Sequence, residues 1–159
     1  MQATDQAELD NLLDTARITR VFNRYFRALD DKQFDEPHFR QIFTPDGKTI
    51  RPNGIATIGP ANIANSHAES CTRFEGSQHL PTGHDVTIDG ETTTVRANLV
   101  AIHLWKDRSA DAAMLERSLI AGGVGTADLR DTSDGWRIAE IANHILWRTG
   151  DFGNMAQTR

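Results

Sequence analysis

Two histidines, His79 and His103, lie in neighbouring segments that both carry the residue pattern of β-strands. His79 stands between Gln78 and Leu80, and His103 ends the apolar run 97–102. An imidazole flanked by apolar residues is an awkward choice for a protein core, whereas it is the side chain best suited to proton transfer near neutral pH. Two imidazoles on adjacent strands therefore indicate a pocket in which protons are moved.

A carboxylate, Asp30, ends the first predicted helix and could complete an acid–base relay with His79 and His103. A carboxylate fixes the tautomer of an imidazole and raises its basicity. Such a histidine could remove a proton alpha to a carbonyl or donate one to a leaving hydroxyl. Two simpler interpretations stay open. Each histidine could be a structural residue with satisfied hydrogen bonds, and Asp30 could lie in a solvated turn with Asp31 and Lys32.

Hydrophobic periodicity predicts the elements that must position these residues. Helical spacing of apolar residues covers 7–30, a short helix holds Phe39, Ile42 and Phe43, and a third helix covers about 61–71. Strand patterns are found at about 48–51 and, as long strands, at 76–88, 91–105, 114–130 and 136–148. This order predicts an α+β domain whose curved antiparallel sheet wraps around the N-terminal helices, a cone with an open mouth that suits a small molecule.

The composition limits the classes of function. The 159 residues favour one domain, with its core at about 8–150 and a polar tail at 150–159. Asp and Glu number 22 against 17 Lys and Arg, and the net charge of −5 argues against a nucleic-acid partner. One cysteine, no signal-peptide pattern and no apolar run of about 18 residues predict a cytoplasmic protein without a membrane partner. The histidines lack metal-ligand spacing, so we expect no metal and no cofactor.

Five segments resemble the SnoaL-like branch of the nuclear-transport-factor-2-like superfamily, and the resemblance extends over about residues 8–150. The segments are YFRALD (25–30), IFTPDG (42–47), QHL (78–80), VTIDG (86–90) and DGWRI (134–138). The resemblance implies the α+β barrel of that superfamily. It specifies the reaction less closely, because the superfamily holds dehydratases, isomerases, cyclases, epoxide hydrolases and non-catalytic binders.

Within that branch the chain is most similar to scytalone-dehydratase-like and bile-acid-dehydratase-like enzymes. The resemblance places their catalytic histidines at His79 and His103 and their acidic residue at Asp30. It places Asp128 where the scytalone type has an asparagine. The tyrosine that these enzymes carry on the short strand is absent from 49–52, so its water-holding role would pass to another polar residue. The residues expected to contact the substrate are Tyr25, Asn53, His67, Phe74 and Asp128.

The register of one hairpin decides which histidine faces the pocket. A two-residue turn at Asp89-Gly90 would pair Ile88 with Glu91. His84 would then share a face with His103, and His79 would point away. A bulge at 81–83, where proline and glycine interrupt the strand, would reverse this. The resemblance requires the bulge, so we expect His79 in the pocket and its rival His84 turned outward.

An apolar outer surface is predicted for the last strand. Ile141, Ile145 and Trp147 alternate along it, and we place them on one outer face. An exposed apolar patch of this kind is typical of an interaction surface. We therefore expect a homodimer or homotrimer.

Three functions fit these patterns. The first is a cofactor-independent acid–base enzyme of the dehydratase type, which acts on a carbonyl-bearing or polyketide-like small molecule. The second is a polyketide-type cyclase or an isomerase of a biosynthetic pathway, which could use the same acid–base pair. The third is a non-catalytic small-molecule-binding or assembly module. Histidines that face the interior favour an enzyme, and outward histidines favour a binder.

Overall fold

Ten helices and strands follow one another in the computed structural model, which describes residues 3–154. They are α1 (Ala3–Asp30), α2 (Glu36–Arg40), β1 (Phe43–Ile50), β2 (Ala56–Ile58), α3 (Pro60–Cys71), β3 (Phe74–Asp89), β4 (Thr92–Trp105), α4 (Met114–Arg117), β5 (Ser118–Thr132) and β6 (Gly135–Gly150). The α+β class is confirmed. Three details differ from the sequence pattern. β2 was not predicted, and residues 114–117 form a helical turn before the third long strand begins. The short helix ends at Arg40, so Ile42 lies beyond it and Phe43 begins β1, which starts earlier than the predicted strand at 48–51.

The six strands form one sheet in the order β2-β1-β6-β5-β4-β3. Neighbouring strands are antiparallel except β1 and β6, which pair in parallel, so the prediction of a wholly antiparallel sheet is wrong at this one pair. The sheet is curved but does not close into a barrel. β3 and β2 therefore remain as its edges, and β3 packs against α1.

The core lies between α1 and the concave face of the sheet. Ile18, Phe22 and Phe26 of α1 are almost fully buried, and they pack against alternate residues of β4, β5 and β6. The first turns of α1 do not take part. Leu12 and Leu13, which the periodicity assigns to the buried stripe, are 60% and 44% exposed, because residues 4–13 are exposed throughout.

A bulge in β3 sets which of its side chains face the core. Thr82 lies opposite Asn98 and Asp85 lies opposite Arg96, so β3 carries one residue more than β4 between these pairs. Gly83 adopts a positive φ of 60° here, a conformation that glycine accepts without strain. The predicted bulge is confirmed. The hairpin turn, however, is shifted by one residue, because Asp89 itself pairs with Thr92.

A second bulge, in β6, changes the predicted outer surface. Gly123 lies opposite Ile145 and Gly122 lies opposite Trp147, so Leu146 is the extra residue. Ile141 lies on the concave face of the sheet and is 1% exposed. Trp147 lies on the convex face, where it is 49% exposed and covers Gly122. The prediction that Ile141, Ile145 and Trp147 share one outer face is therefore wrong, because the bulge reverses the alternation.

The beginning of the polar tail packs onto the end of β4. The Trp105 Nε1–H group donates to the Asp151 carbonyl at 2.8 Å, and the Arg108 Nε–H group donates to the Asp151 carboxylate at 2.6 Å. Phe152 packs on Phe74, Trp105 and Leu119. The rest of the predicted tail, residues 155–159, lies outside the described residues. Within residues 3–154 no helix has the length and apolarity required to cross a membrane.

Candidate active site

Asp30 and His79 form a two-point contact between the end of α1 and β3. The His79 Nδ1–H group donates to one carboxylate oxygen at 2.6 Å, and the backbone N–H of His79 donates to the other at 2.9 Å. The His79 side chain is 8% exposed, and the Asp30 side chain is 22% exposed. Since β3 is an edge strand, the backbone N–H of His79 is not needed for strand pairing and is free to donate to this carboxylate. The contact fixes the His79 ring and, in the neutral form of the ring, places the proton on Nδ1 and leaves Nε2 as the acceptor.

His103 lies on β4 beside His79. Their ring centroids are 5.3 Å apart with nearly perpendicular planes. The arrangement follows from the register, since His79 pairs with Ala101 and Ser77 pairs with His103, so all four face the concave side. Ser77 Oγ and His103 Nδ1 are hydrogen bonded at 2.8 Å. The structure thus brings together the three predicted catalytic residues, Asp30, His79 and His103.

The electrostatics keep His103 neutral. The pKa of His103 is lowered to about 4, chiefly by burial and also by the neighbouring His79, whereas the Asp30 carboxylate opposes the shift. Phe74 supplies part of this apolar surrounding, because it stacks on His103 with ring centroids 4.6 Å apart. At neutral pH the His103 ring therefore has one N–H donor and one acceptor nitrogen.

Tyr25 and His67 form a second buried pair, between α1 and α3. Tyr25 Oη and His67 Nε2 are hydrogen bonded at 3.0 Å. Burial lowers the pKa of His67 to about 4, with Arg51 and His79 as further causes, and burial raises the pKa of Tyr25. His67, one of the expected substrate-contact residues, lies in the interior. It shares the inner face of α3 with Ile63 and Ala64 and is 8% exposed.

His84 faces the core side rather than solvent. The β3 bulge places both His79 and His84 on the side of α1, and the His84 Nε2–H group donates to Asn23 Oδ1 at 2.7 Å. The expectation that the bulge turns His84 outward is therefore wrong. The extra residue turns the His79 side chain to the concave face of the sheet, and the His84 side chain still faces inward. His84 has an amide partner and no carboxylate, so the two histidines differ in chemistry rather than in orientation.

Two predicted contact residues lie away from this site. Asn53 is exposed in a turn, where its side-chain oxygen accepts from the Ile55 N–H at 3.1 Å. Asp128 is exposed on the convex face, opposite Thr94 and Glu140, because the β5 side chains on the concave side are those of odd number. Phe74 stacks on His103, and Tyr25 and His67 are buried in the interior, whereas Asn53 and Asp128 are exposed at the surface.

Sequence reasoning missed two polar partners, Ser77 and Asn23. Ser77 is two residues before His79, and strand alternation alone places both on one face, so this signal was present. Asn23 lies on the face of α1 between its apolar and charged residues, and only the packing of α1 against β3 shows that it meets His84. In the described part of the chain no cluster of His, Cys, Asp and Glu has an arrangement that could hold a metal ion.

A groove of about 990 Å³ runs along α1 beside β3. Asp30 and His79 line one end of it, together with Leu80 and Pro81. His103 does not line this groove, although its ring centroid is 5.3 Å from that of His79. His79 is therefore accessible from the groove and lies beside His103.

The family follows from the fold and from the sequence together. The profile of the SnoaL-like domain matches residues 10–142, which is most of the chain. The protein belongs to the SnoaL-like domain family, within the nuclear-transport-factor-2-like superfamily, as its segments indicate.

Several solved structures share this fold. The Kfla4162 protein of Kribbella flavida is 23% identical with a TM-score of 0.77, over 87% of this chain and 94% of that one. A scytalone-dehydratase-like protein of Novosphingobium aromaticivorans is 16% identical with a TM-score of 0.74, over 90% and 91%. The hexachlorocyclohexane dehydrochlorinase of Novosphingobium barchaimii is 15% identical with a TM-score of 0.73, over 92% and 95%. At these identities the comparisons establish the fold alone.

Proposed function

We propose that this protein is a cofactor-independent acid–base enzyme that eliminates water from a small carbonyl compound, in the manner of a dehydratase. The observation that carries the proposal is the Asp30–His79 contact, in which one carboxylate binds both the ring and the backbone of one histidine. A carboxylate held by the backbone N–H and bound to Nδ1 suits a general base, since it fixes both the tautomer of the ring and the direction of the other ring nitrogen.

His79 acts as the base in this proposal. Its Nε2 removes the proton alpha to the carbonyl, and the electron pair of that C–H bond forms the new carbon–carbon double bond. The bond from the beta carbon to the hydroxyl breaks, and the hydroxyl leaves as water with the proton that His79 had received. Asp30 stabilises the imidazolium while it exists. Such proton transfers supply about 10²–10⁴-fold in rate.

In this proposal the substrate extends past His79 to His103, which does not itself line the groove, and His103 donates a hydrogen bond to the substrate oxygen. A neutral imidazole can polarise a carbonyl through its N–H group without becoming charged. In this proposal the Ser77 hydroxyl donates to Nδ1, which leaves the single proton of the neutral His103 ring on Nε2. Because the positive charge of His79 disfavours protonation of His103, the abstracted proton stays on His79 beside Asp30. A scytalone-dehydratase-like protein and a dehydrochlorinase among the structural neighbours support this type of reaction, since both names describe the loss of a small molecule HX.

Turnover of a panel of β-hydroxy carbonyl compounds, followed by the ultraviolet absorbance of the conjugated product, tests the proposal. We expect His79→Gln and Asp30→Asn each to lower kcat by about 10²–10⁴-fold while the circular dichroism spectrum is unchanged. His84→Gln is the matched control. It removes an inward histidine of the same strand that contacts Asn23 rather than a carboxylate, so its rate should stay near that of the unmodified protein.

Two results would contradict this assignment. If His84→Gln abolishes turnover and His79→Gln does not, the base has been assigned to the wrong histidine. If compounds of the panel bind, but none is converted and neither substitution changes the affinity, the protein is a binding module and not an enzyme.

A further inference from the structure

The groove beside His79 is lined by arginines as well as by the candidate catalytic pair. Arg20, Arg24 and Arg27 of α1 line the same cavity of about 990 Å³ as Asp30 and His79. Their spacing of four and three residues places them on one face of the helix. His38 also lines the groove. The acidic residues in its described lining are Asp30 and Asp31.

These three arginines have no anionic partner within residues 3–154. Arg17, one turn earlier, is paired with Asp14 at 3.0 Å, and Arg40 is paired with Glu36, so other arginines in this region do find carboxylates. Like charges at this spacing destabilise a helix. Their concentration in one cavity, in a chain of net charge −5, therefore indicates a site for an anion.

The distance of the arginines from Asp30 indicates that they bind the end of the substrate that the reaction leaves unchanged. At a rise of about 1.5 Å per residue, Arg27 lies about 4.5 Å and Arg20 about 15 Å along the helix axis from Asp30. A charge at the arginines is thus separated from the reacting carbon by several bonds. A guanidinium presents a planar set of donors that matches phosphate oxygens, and three of them in a row suit a group with more than one negative charge.

We propose that the groove binds a phosphate or diphosphate group of the substrate, and that this group holds the reacting carbon against His79. The position of the reacting carbon rests on the proposed function, whereas the anion site itself depends only on the arginines. A substrate of this class is a carbonyl compound that carries a phosphorylated handle.

Calorimetric titration of the full chain with pyrophosphate at fixed low ionic strength tests the site. We expect saturable binding of one pyrophosphate, weakened at least about tenfold in the double variant Arg24→Gln/Arg27→Gln. The matched control is Arg96→Gln/Arg148→Gln, which removes the same charge from exposed positions outside the groove and should leave the affinity within about twofold. Succinate at the same ionic strength should bind at least about tenfold more weakly than pyrophosphate, since a carboxylate offers fewer oxygens and less charge.

The variant His79→Gln separates this proposal from the proposed function. Its affinity for pyrophosphate should be unchanged, because His79 meets the reacting end and not the anion. No heat of binding at millimolar pyrophosphate would overturn the anion site, and so would equal losses in the groove and control variants. Equal binding of succinate would overturn the phosphate class. If pyrophosphate binds as expected and His79→Gln retains full turnover, the anion site stands and the proposed base fails.

Discussion

At the scale of single residues, four histidines of the interior differ in the group to which each is hydrogen bonded. His79 has a carboxylate, His103 has a hydroxyl, His67 has a phenol and His84 has an amide. Only the first of these partners carries the negative charge that stabilises an imidazolium. The sequence could predict Asp30, His79 and His103 as a set, but it could not distinguish their partners, because those lie as far as 61 residues away along the chain.

The buried histidines should make the protein less stable in mild acid. Their pKa values are lowered by burial to about 4 in the folded state for His67 and His103, against about 6.5 in an unfolded chain. Between these values the unfolded chain binds more protons, so the free energy of unfolding falls as the pH falls from about 6.5 towards 4. Each such histidine contributes a slope of at most about 1.4 kcal/mol per pH unit.

Urea denaturation at several pH values between 7 and 5 measures this slope. His67→Gln should reduce it by about the contribution of one histidine, since glutamine retains a hydrogen-bonding group for Tyr25 but does not titrate. His144→Gln is the control, because His144 is exposed on the convex side of β6. A slope that is the same in His67→Gln as in the unmodified protein would show that His67 does not stay neutral in the folded state.

At the scale of elements, hydrophobic periodicity predicts the regular helices and strands but not the bulges that interrupt them. The apolar spacing of α1 and the alternation of β4 gave their positions to within a few residues. The bulge in β3 could be anticipated because proline and glycine mark it. The bulge at Leu146 in β6 has no such signal in its own strand, so the face of Trp147 was predicted incorrectly. The glycines that accommodate it lie in the neighbouring strand β5.

Those two glycines should differ in their tolerance of a methyl group. A Cβ on Gly123 would overlap the backbone carbonyl of His144, which cannot move without breaking the strand pairing. A Cβ on Gly122 would overlap the ring of Trp147, which is 49% exposed and can swing away. We expect Gly123→Ala to cost about 2–3 kcal/mol of unfolding free energy and Gly122→Ala less than about 1 kcal/mol.

Thermal and urea unfolding of the two variants measures the difference. Gly122→Ala should also change the tryptophan fluorescence, because the displaced ring enters water. The interpretation of the β6 bulge as a close backbone contact would be wrong if Gly122→Ala proved the more destabilising of the two.

At the scale of the whole molecule, the convex face of the sheet carries an apolar band. The strand register aligns Leu80 with Val100, Val100 with Gly122, and Gly122 with Trp147. Leu80 and Trp147 are exposed by 43% and 49%, and Leu146, at the bulge, by 65%. We propose that a second copy of the chain covers this band, which keeps the predicted homodimer or homotrimer but moves its surface from the last strand alone to four strands.

Light scattering at micromolar concentration tests the assembly. We expect a mass of two or three times the 17.7 kDa chain, and a shift towards the single chain in Leu80→Asp/Leu146→Asp. Ile55→Asp is the control, since Ile55 is 59% exposed in a turn outside the band. A mass of 17.7 kDa for the unmodified protein would refute self-association.

The single extra residue in β3 also bears on how this cavity can change over evolutionary time. Replacing a side chain in β3 alters one contact, whereas removing one residue between Thr82 and Asp85 would exchange the two faces of the strand on one side of the deletion. The hairpin end, with His84, Val86 and Ile88, and the end that carries the candidate site, with Ser77 and His79, would then no longer face the same way. We therefore expect relatives that use the same site to keep the length of this segment, and relatives that differ in length here to use a different histidine or to catalyse nothing.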